Sequence, residues 1–276
     1  MPNGTPMIKT DKVNINLPER KKIYFLSDWH LGWPDAEQSR LREKKIVEWL
    51  DKIENNVFAL FLVGDIFDFW FDYRHTVPKY FTRILGKLAR MADKGIGIHY
   101  FFGNHDMWLK DYFRQEIGMQ IHSDAVDLTL NQLKIFVAHG DGLGPGDHSY
   151  KFLKKIFRNP VSQWLYRWLH PDIGIPLASF FSHRSRASTP RQVTRFRGPD
   201  KEYLMLFSEA ILQNKHYDFF IFGHRHHAVD YPLSNRKSRY INLGDWINWF
   251  SFAESDGLDI QLNVLSGKAI YKPPKQ

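Results

Sequence analysis

The chain has 276 residues, a formal net charge of +8, 43% hydrophobic residues and no cysteine. That length fits one large domain or a domain carrying an insertion, with enough apolar residues for a core. The lack of cysteine excludes disulfides, thiolate metal sites and cysteine nucleophiles, and it is compatible with a reducing compartment.

The first twenty residues are polar, without an apolar h-region, and are expected to be an irregular lead-in rather than a signal peptide. KIYFLS (22–27) reads as a short strand ending at Asp28, and residues 36–54 carry Leu41, Ile46, Leu50 and Ile53 at helical spacing. VFALFLV (57–63) is a buried-strand run ending at Gly64-Asp65. Residues 77–93 predict a helix with Pro78 at its first position and Gly95 as its stop. IGIHYFF (96–102), LKIFVA (133–138) and DFFIF (218–222) are further strands, and 201–215 is a further helix. Apolar strands alternating with helices predict an α/β protein with a largely buried sheet. No run of about 18 apolar residues occurs, so no transmembrane helix is expected.

Five strands end in polar clusters: SDWH (27–30), GDIFD (64–68), GNHD (103–106), AHGD (138–141) and GHRH (223–226). Any one of these could be a turn. Five in succession point to a site at one rim of a sheet, where α/β proteins gather ligands. Asp28 and His30 are two apart, as are His224 and His226, so each pair is expected to share a side of an extended segment. With Asp65, Asn104 and His139 the inventory is two carboxylates, one carboxamide and four imidazoles. That exceeds one tetrahedral ion and suits two divalent ions sharing a carboxylate, a clamp for displacement at phosphorus. Oxygen ligands favour Mn or Mg and imidazoles favour Fe or Zn, so Mn, Fe and Zn all stay open.

The ordered set D-x-H, GD, GNHD, H and GHxH resembles the calcineurin-like metallophosphoesterase superfamily, over residues 23 to about 247. The resemblance implies a four-layer α/β/β/α sandwich. It implies one metal on Asp28, His30, Asp65 and His226, and a second on Asp65, Asn104, His139 and His224. It favours a transition-state role for His105, beside the phosphate, with Asp106 orienting His105 or the loop backbone. Asp68 is expected to be structural, and His227 to lie outside the ligand set.

Residues 151–199 hold ten Lys and Arg against one Asp. They are expected to form an inserted basic helical segment, about 150–199, interrupted near Pro160, within a domain spanning 21–276. Trp164, Trp168, Phe152 and Phe157 lie among Lys154, Lys155, Arg158 and Arg167. Such a face can lie on an anionic membrane, bind acyl chains, grip single-stranded nucleic acid, or simply pack on the core. HGDGLGPGDHSYKFLKKIF (139–157), GDIFDFWF and LGDW (243–246) resemble the UDP-2,3-diacylglucosamine pyrophosphohydrolases of lipid A biosynthesis. That resemblance implies a di-metal hydrolase, with Mn²⁺ as the expected ion, releasing UMP and 2,3-diacylglucosamine 1-phosphate. It implies a nucleotide-activated lipid as substrate, an insertion that acts as a lid, and a cytoplasmic location, peripheral on the anionic face of the inner membrane. Nucleic acid is not an expected partner under it. Asp147 and Tyr150 match substrate-contacting positions of that family, and Arg184, Arg186 and Ser188 fall in the corresponding part of its lid. The family's best-known members carry arginine where this chain has His105. The alternatives are a metallophosphoesterase acting on another phosphoester (nucleotide, phosphoprotein or nucleic acid) and a non-catalytic membrane or protein adaptor.

Overall fold

The computed structural model describes residues 8–144, 148–188 and 196–273, with the side chains of 148–150, 183 and 185–188 left out. Strand alternation explains its layering. In β2 (Lys22–Leu26), Tyr24 and Leu26 face one core while Ile23 and Phe25 face another. In β3 (Val57–Leu62), Leu60 and Leu62 part from Ala59 and Phe61 in the same way. β8 (Phe219–Phe222) sends Phe219 and Ile221 to the shared core and Phe220 and Phe222 to a third. Each of these strands is therefore apolar on both faces and covered on both sides.

The shared core lies between two six-stranded sheets. One sheet runs β12 (Ile260–Val264), β11 (Ser251–Ser255), β2, β3, β4 (Gly97–Phe101), β5 (Gln120–His122). The other runs β1 (Thr10–Ile15), β6 (Ala125–Leu130), β7 (Leu133–Ala138), β8, β10 (Arg239–Leu243), β9 (Ala228–Pro232). Helices α1 (Ala36–Ile53), α2 (Thr82–Asp93) and the short α3 (Tyr112–Glu116) cover the first sheet; α7 (Tyr203–Leu212) covers the second. The result is the α/β/β/α sandwich. β2, β3 and β4 are mutually parallel, as are β7, β8 and β10, so their C-terminal ends reach one rim of the sandwich.

Between β7 and α7 stand α4 (His148–Arg158), α5 (Pro160–Arg167) and α6 (Pro171–Ser188). The break falls where expected: Asn159 accepts from the Val161 amide at 2.8 Å as N-cap, and Pro160 fills the first helical turn. The helices dock on the rim by aromatic contact. Tyr166 packs on Phe71 and Trp108, and the Trp108 indole donates to the Phe157 carbonyl at 2.7 Å. Among the described residues no helix is long and apolar enough to cross a membrane.

Two expectations are corrected. The polar lead-in contains β1, whose sequence TDKVNI alternates and pairs in parallel with β6 at the sheet edge. The second helix starts at Thr82 rather than at Pro78. Its first free amides, Arg83 and Ile84, donate to Glu43 of α1, both at 3.0 Å. A carboxylate from a neighbouring helix thus caps α2 in place of a local residue, and periodicity within the segment cannot reveal that.

Candidate metal centre

The loops that carry the site do not stay extended. Asp28, His30, Asp65, His224 and His226 all have positive φ, between 44° and 65°. A non-glycine residue held there costs about 1–3 kcal/mol and persists only where surrounding contacts impose it. Those contacts are present: the Asp28 amide donates to Gly64 O at 3.1 Å and the His30 amide to Asp65 O at 3.0 Å. The buried Arg42 of α1 donates to the carbonyls of Trp29, His30 and Trp33 at 2.9–3.1 Å, tying the first loop to its helix. The paired residues do converge, but through left-handed turns and not through strand parity.

The outer nitrogen of each of three histidines faces an acceptor. His139 Nδ1 lies 2.9 Å from Val63 O, His226 Nδ1 3.2 Å from Asp245 Oδ2, and His30 Nδ1 3.5 Å from Asp68 Oδ1. The Val63 and Asp245 partners place a proton on the outer nitrogens of His139 and His226, while His30 Nδ1 meets Asp68 only at ion-pair distance; the inner nitrogens point at one another and at carboxylates. His30 Nε2 and His226 Nε2 are 3.3 Å apart, and His226 Nε2 is 3.3 Å from Asp28 Oδ1. Asn104 Oδ1 lies 2.8 Å from His224 Nδ1 and 3.2 Å from His139 Nε2. Asp28 Oδ1 is buried and has no hydrogen-bond donor. Converging acceptors in a buried site call for cations. Burial alone would lower His139, yet the carboxylates of Asp65, Asp28 and Asp141, Asp65 first, together lift the imidazole to about 10, a proton standing in for positive charge.

Two clusters could each hold an ion: Asp28, His30 and His226, and Asp65, His139 and His224. Asp65 lies between them, with Oδ2 at 3.6 Å from His30 Nε2 and 3.3 Å from His139 Nε2, the placement a shared carboxylate needs. All seven expected ligands therefore meet at one point of the rim. The donor set of carboxylate, carboxamide and imidazole fits two divalent ions.

Two glycines are there for space. A Cβ at Gly103 would overlap the Asp65 carboxylate, and one at Gly64 would come 2.5 Å from His139 Nδ1. The φ of Gly103 is ordinary, and close approach is what requires a glycine there. Asp106 braces the site from below. Its carboxylate accepts from the amides of Ile66 (2.7 Å) and Gly103 (2.9 Å) and from the Tyr100 hydroxyl (2.6 Å). It orients loop backbone, not His105.

His105 packs edge-on against His30, with ring centroids 4.9 Å apart, and its Nδ1 is turned to Asp68 O at 3.1 Å and Ser182 Oγ at 2.9 Å. His227 is buried against Glu202 and Phe196, outside both clusters. Arg184 is exposed on α6. Asp147 lies outside the described residues, as do the side chains of Tyr150, Arg186 and Ser188.

Asp68 was read as structural, and three further contributors escaped the sequence reading. Asp68 joins His30 and His105 in a third cluster; Asp245 backs His226, Arg42 holds the first loop, and Ser182 reaches in from the insertion. Of the three that were missed, only Asp245 carried a signal. LGDW is a sixth polar cluster at the end of a strand, but YINL is too short to announce that strand.

Fold and rim together define a metal-dependent phosphoesterase. The chain belongs to the Calcineurin-like phosphoesterase family, whose profile matches residues 21–228. It is 38% identical, over 89% of this chain and 98% of the relative, to the UDP-2,3-diacylglucosamine hydrolase of Porphyromonas gingivalis. It is 27% identical to the UDP-2,3-diacylglucosamine hydrolase of Pseudomonas aeruginosa, over 81% of this chain and 90% of the relative. Yfce, a phosphoesterase from E. coli of solved structure, aligns over 90% of this chain and 96% of its own, at 15% identity and a TM-score of 0.43.

Proposed function

We infer that this protein hydrolyses the pyrophosphate of UDP-2,3-diacylglucosamine, releasing UMP and 2,3-diacylglucosamine 1-phosphate in lipid A biosynthesis. The observation that carries this reading is the near full-length identity with a hydrolase of that substrate, combined with a rim able to hold two ions beneath a helical insertion. We take the ions to be Mn²⁺, held by Asp28, His30, Asp65 and His226 on one side and by Asp65, Asn104, His139 and His224 on the other. When bound, such a pair supplies hydroxide near neutral pH and neutralises phosphate oxygens.

The remaining work falls to the chain itself. Asp65 is held in place by the His105 amide, which donates to its Oδ1 at 2.9 Å. Asp28 is held by the His224 amide at 2.9 Å from its Oδ2. In its imidazolium form His105 keeps Nδ1 on Asp68 and Ser182 while its Nε2–H donates to a phosphate oxygen as charge builds there.

The insertion is read as a lid with two faces. Inward, Tyr166 and Phe157 pack on Trp108. Outward, Trp164, Trp168, Phe180 and Phe181 are exposed, as is Lys155. Amphipathic helices of this kind suit acyl chains and an anionic bilayer surface, which supports a peripheral place on the cytoplasmic face of the inner membrane. Asp147, Tyr150, Arg184, Arg186 and Ser188 are the proposed contacts to the lipid-sugar.

The test is direct. Purified protein with Mn²⁺ and detergent should release UMP from the diacylated substrate. Cleavage of simple phosphodiesters without UMP release from that substrate would overturn the assignment in favour of another phosphoester.

A further inference from the structure

Among the described residues, the inserted helix α6 reaches His105 and Asp68 through the Ser182 hydroxyl. Ser182 of α6 lies 114 residues in sequence from Asp68 and 77 from His105, yet contacts both. Its Oγ donates to Asp68 Oδ2 at 2.7 Å. A serine has one hydroxyl proton, so with that proton on Asp68 the oxygen faces His105 Nδ1, 2.9 Å away, as an acceptor. Asp68 O, 3.1 Å from the same nitrogen, is also an acceptor. Nδ1 must therefore carry a hydrogen, and the ring is held in one orientation. The other oxygen of the carboxylate, Asp68 Oδ1, is 3.5 Å from His30 Nδ1. One side chain of the insertion thus completes a chain of contacts from His105 through Asp68 to the ring of a candidate ligand.

The placement along α6 is specific. Phe180 and Phe181, immediately before Ser182, are exposed, as is Arg184 two residues after it. Ser182 is half-buried and turned to the rim. Along this stretch the helix therefore presents an apolar surface outward and the Ser182 hydroxyl inward. Displacing α6 would remove the acceptor that shares Nδ1 and the donor that holds Asp68.

We propose that Ser182 is a positioning residue through which the seated insertion sets the aim of His105, so that His105 is fully oriented only when α6 is in place. This rests on the reading that His105 faces the reacting phosphate. It assigns Ser182 no contact with substrate and no part in holding the ions.

The experiment is a double-mutant cycle on the full-length protein with the diacylated substrate and saturating Mn²⁺, using Ser182→Ala, Ser182→Thr, His105→Ala and the Ser182→Ala/His105→Ala pair. Loss of an orienting partner of this kind costs on the order of 10-fold. Ser182→Ala should lower kcat by that amount with KM and bound Mn²⁺ unchanged, and Ser182→Thr, which keeps the hydroxyl, should restore most of it. In the His105→Ala background Ser182→Ala should have no further effect, because there is no imidazole left to aim. Four results would overturn the inference: an unchanged kcat in Ser182→Ala, a loss confined to KM, a fall in Mn²⁺ content, or an equal penalty in the His105→Ala background. His105→Ala turning over at the wild-type rate would instead overturn the role of His105, and the inference with it.

Discussion

Asp245 stands behind His226: its Oδ2 lies 3.2 Å from His226 Nδ1, while its Oδ1 accepts from the amides of Asn248 and Trp249 at 2.7 and 3.0 Å. One carboxylate thus aims a candidate ligand and caps the turn after β10. Hydrogen bonding from His226 and the Asn248 and Trp249 amides outweighs burial and holds Asp245 below the usual carboxylate range. Asp245→Asn keeps the size and weakens the aim. The expected result is a fall of about 10–100-fold in Mn²⁺ affinity with an intact fold, read by titrating activity and bound metal against free Mn²⁺. An unchanged titration would remove Asp245 from the site.

Asp65 lies within 3.6 Å of one inner imidazole nitrogen and 3.3 Å of another, each in a different cluster. A residue so placed cannot be lost from one ion alone. Asp65→Ala should abolish turnover and empty both positions, measured as metal per chain after dialysis against trace Mn²⁺. One ion retained at full occupancy would refute the sharing, and retained activity would sink the two-ion mechanism.

Asp106 is completely buried and gathers loop amides and a tyrosine hydroxyl. Truncating it strands those donors without solvent. Asp106→Ala should destabilise the fold by about 3–5 kcal/mol, the range for breaking a buried charge-assisted network, seen as a lower denaturant midpoint. A loss below about 1 kcal/mol would mean that the loops hold without it.

Glu54 ties α1 to α2. Its carboxylate accepts from Lys87 Nζ at 2.7 Å and Lys94 Nζ at 2.8 Å, and these partners, Lys87 first, hold it at about 2, below its ordinary 4.5. A depressed folded value means that the contribution is complete above the ordinary value and is lost as pH falls through the folded one. Wild type should therefore melt higher than Glu54→Gln at pH 7, and the gap should close between pH 4.5 and 2. Thermal melts across that window decide it; a gap that is constant with pH would show that the carboxylate charge contributes nothing.

Trp164 and Trp168 form an exposed edge-to-face pair, with centroids 5.9 Å apart, on the outer side of the insertion. Replacing both by alanine should reduce binding to phosphatidylglycerol vesicles several-fold and raise KM for the lipid substrate, with Mn²⁺ content unchanged. Vesicle flotation and detergent-series kinetics provide the measurements. Unaltered flotation would remove this face as the membrane contact.

Much of this protein is legible along the chain. Alternation in KIYFL and VFALFL separates the residues of two cores, and each apolar run stops where a polar cluster begins, because a strand buried on both faces must leave the core before it can carry a carboxylate or an imidazole. Asp28, His30, Asp65, Asn104, His139, His224 and His226 were all visible in that way. Tertiary structure decided how they meet. Asp28 and His30 converge through positive φ imposed by Gly64, Asp65 and Arg42, not through strand parity. Gly103 is glycine because Asp65 occupies the space a Cβ would need. Asp106 turned from its neighbour His105 to amides forty residues back, and Ser182 reached His105 from a separate helix. Burial and periodicity are written locally in side-chain chemistry. The partner of a hydrogen bond, the tautomer it selects and the strain it sustains depend on atoms that come within 3 Å only after the chain has folded.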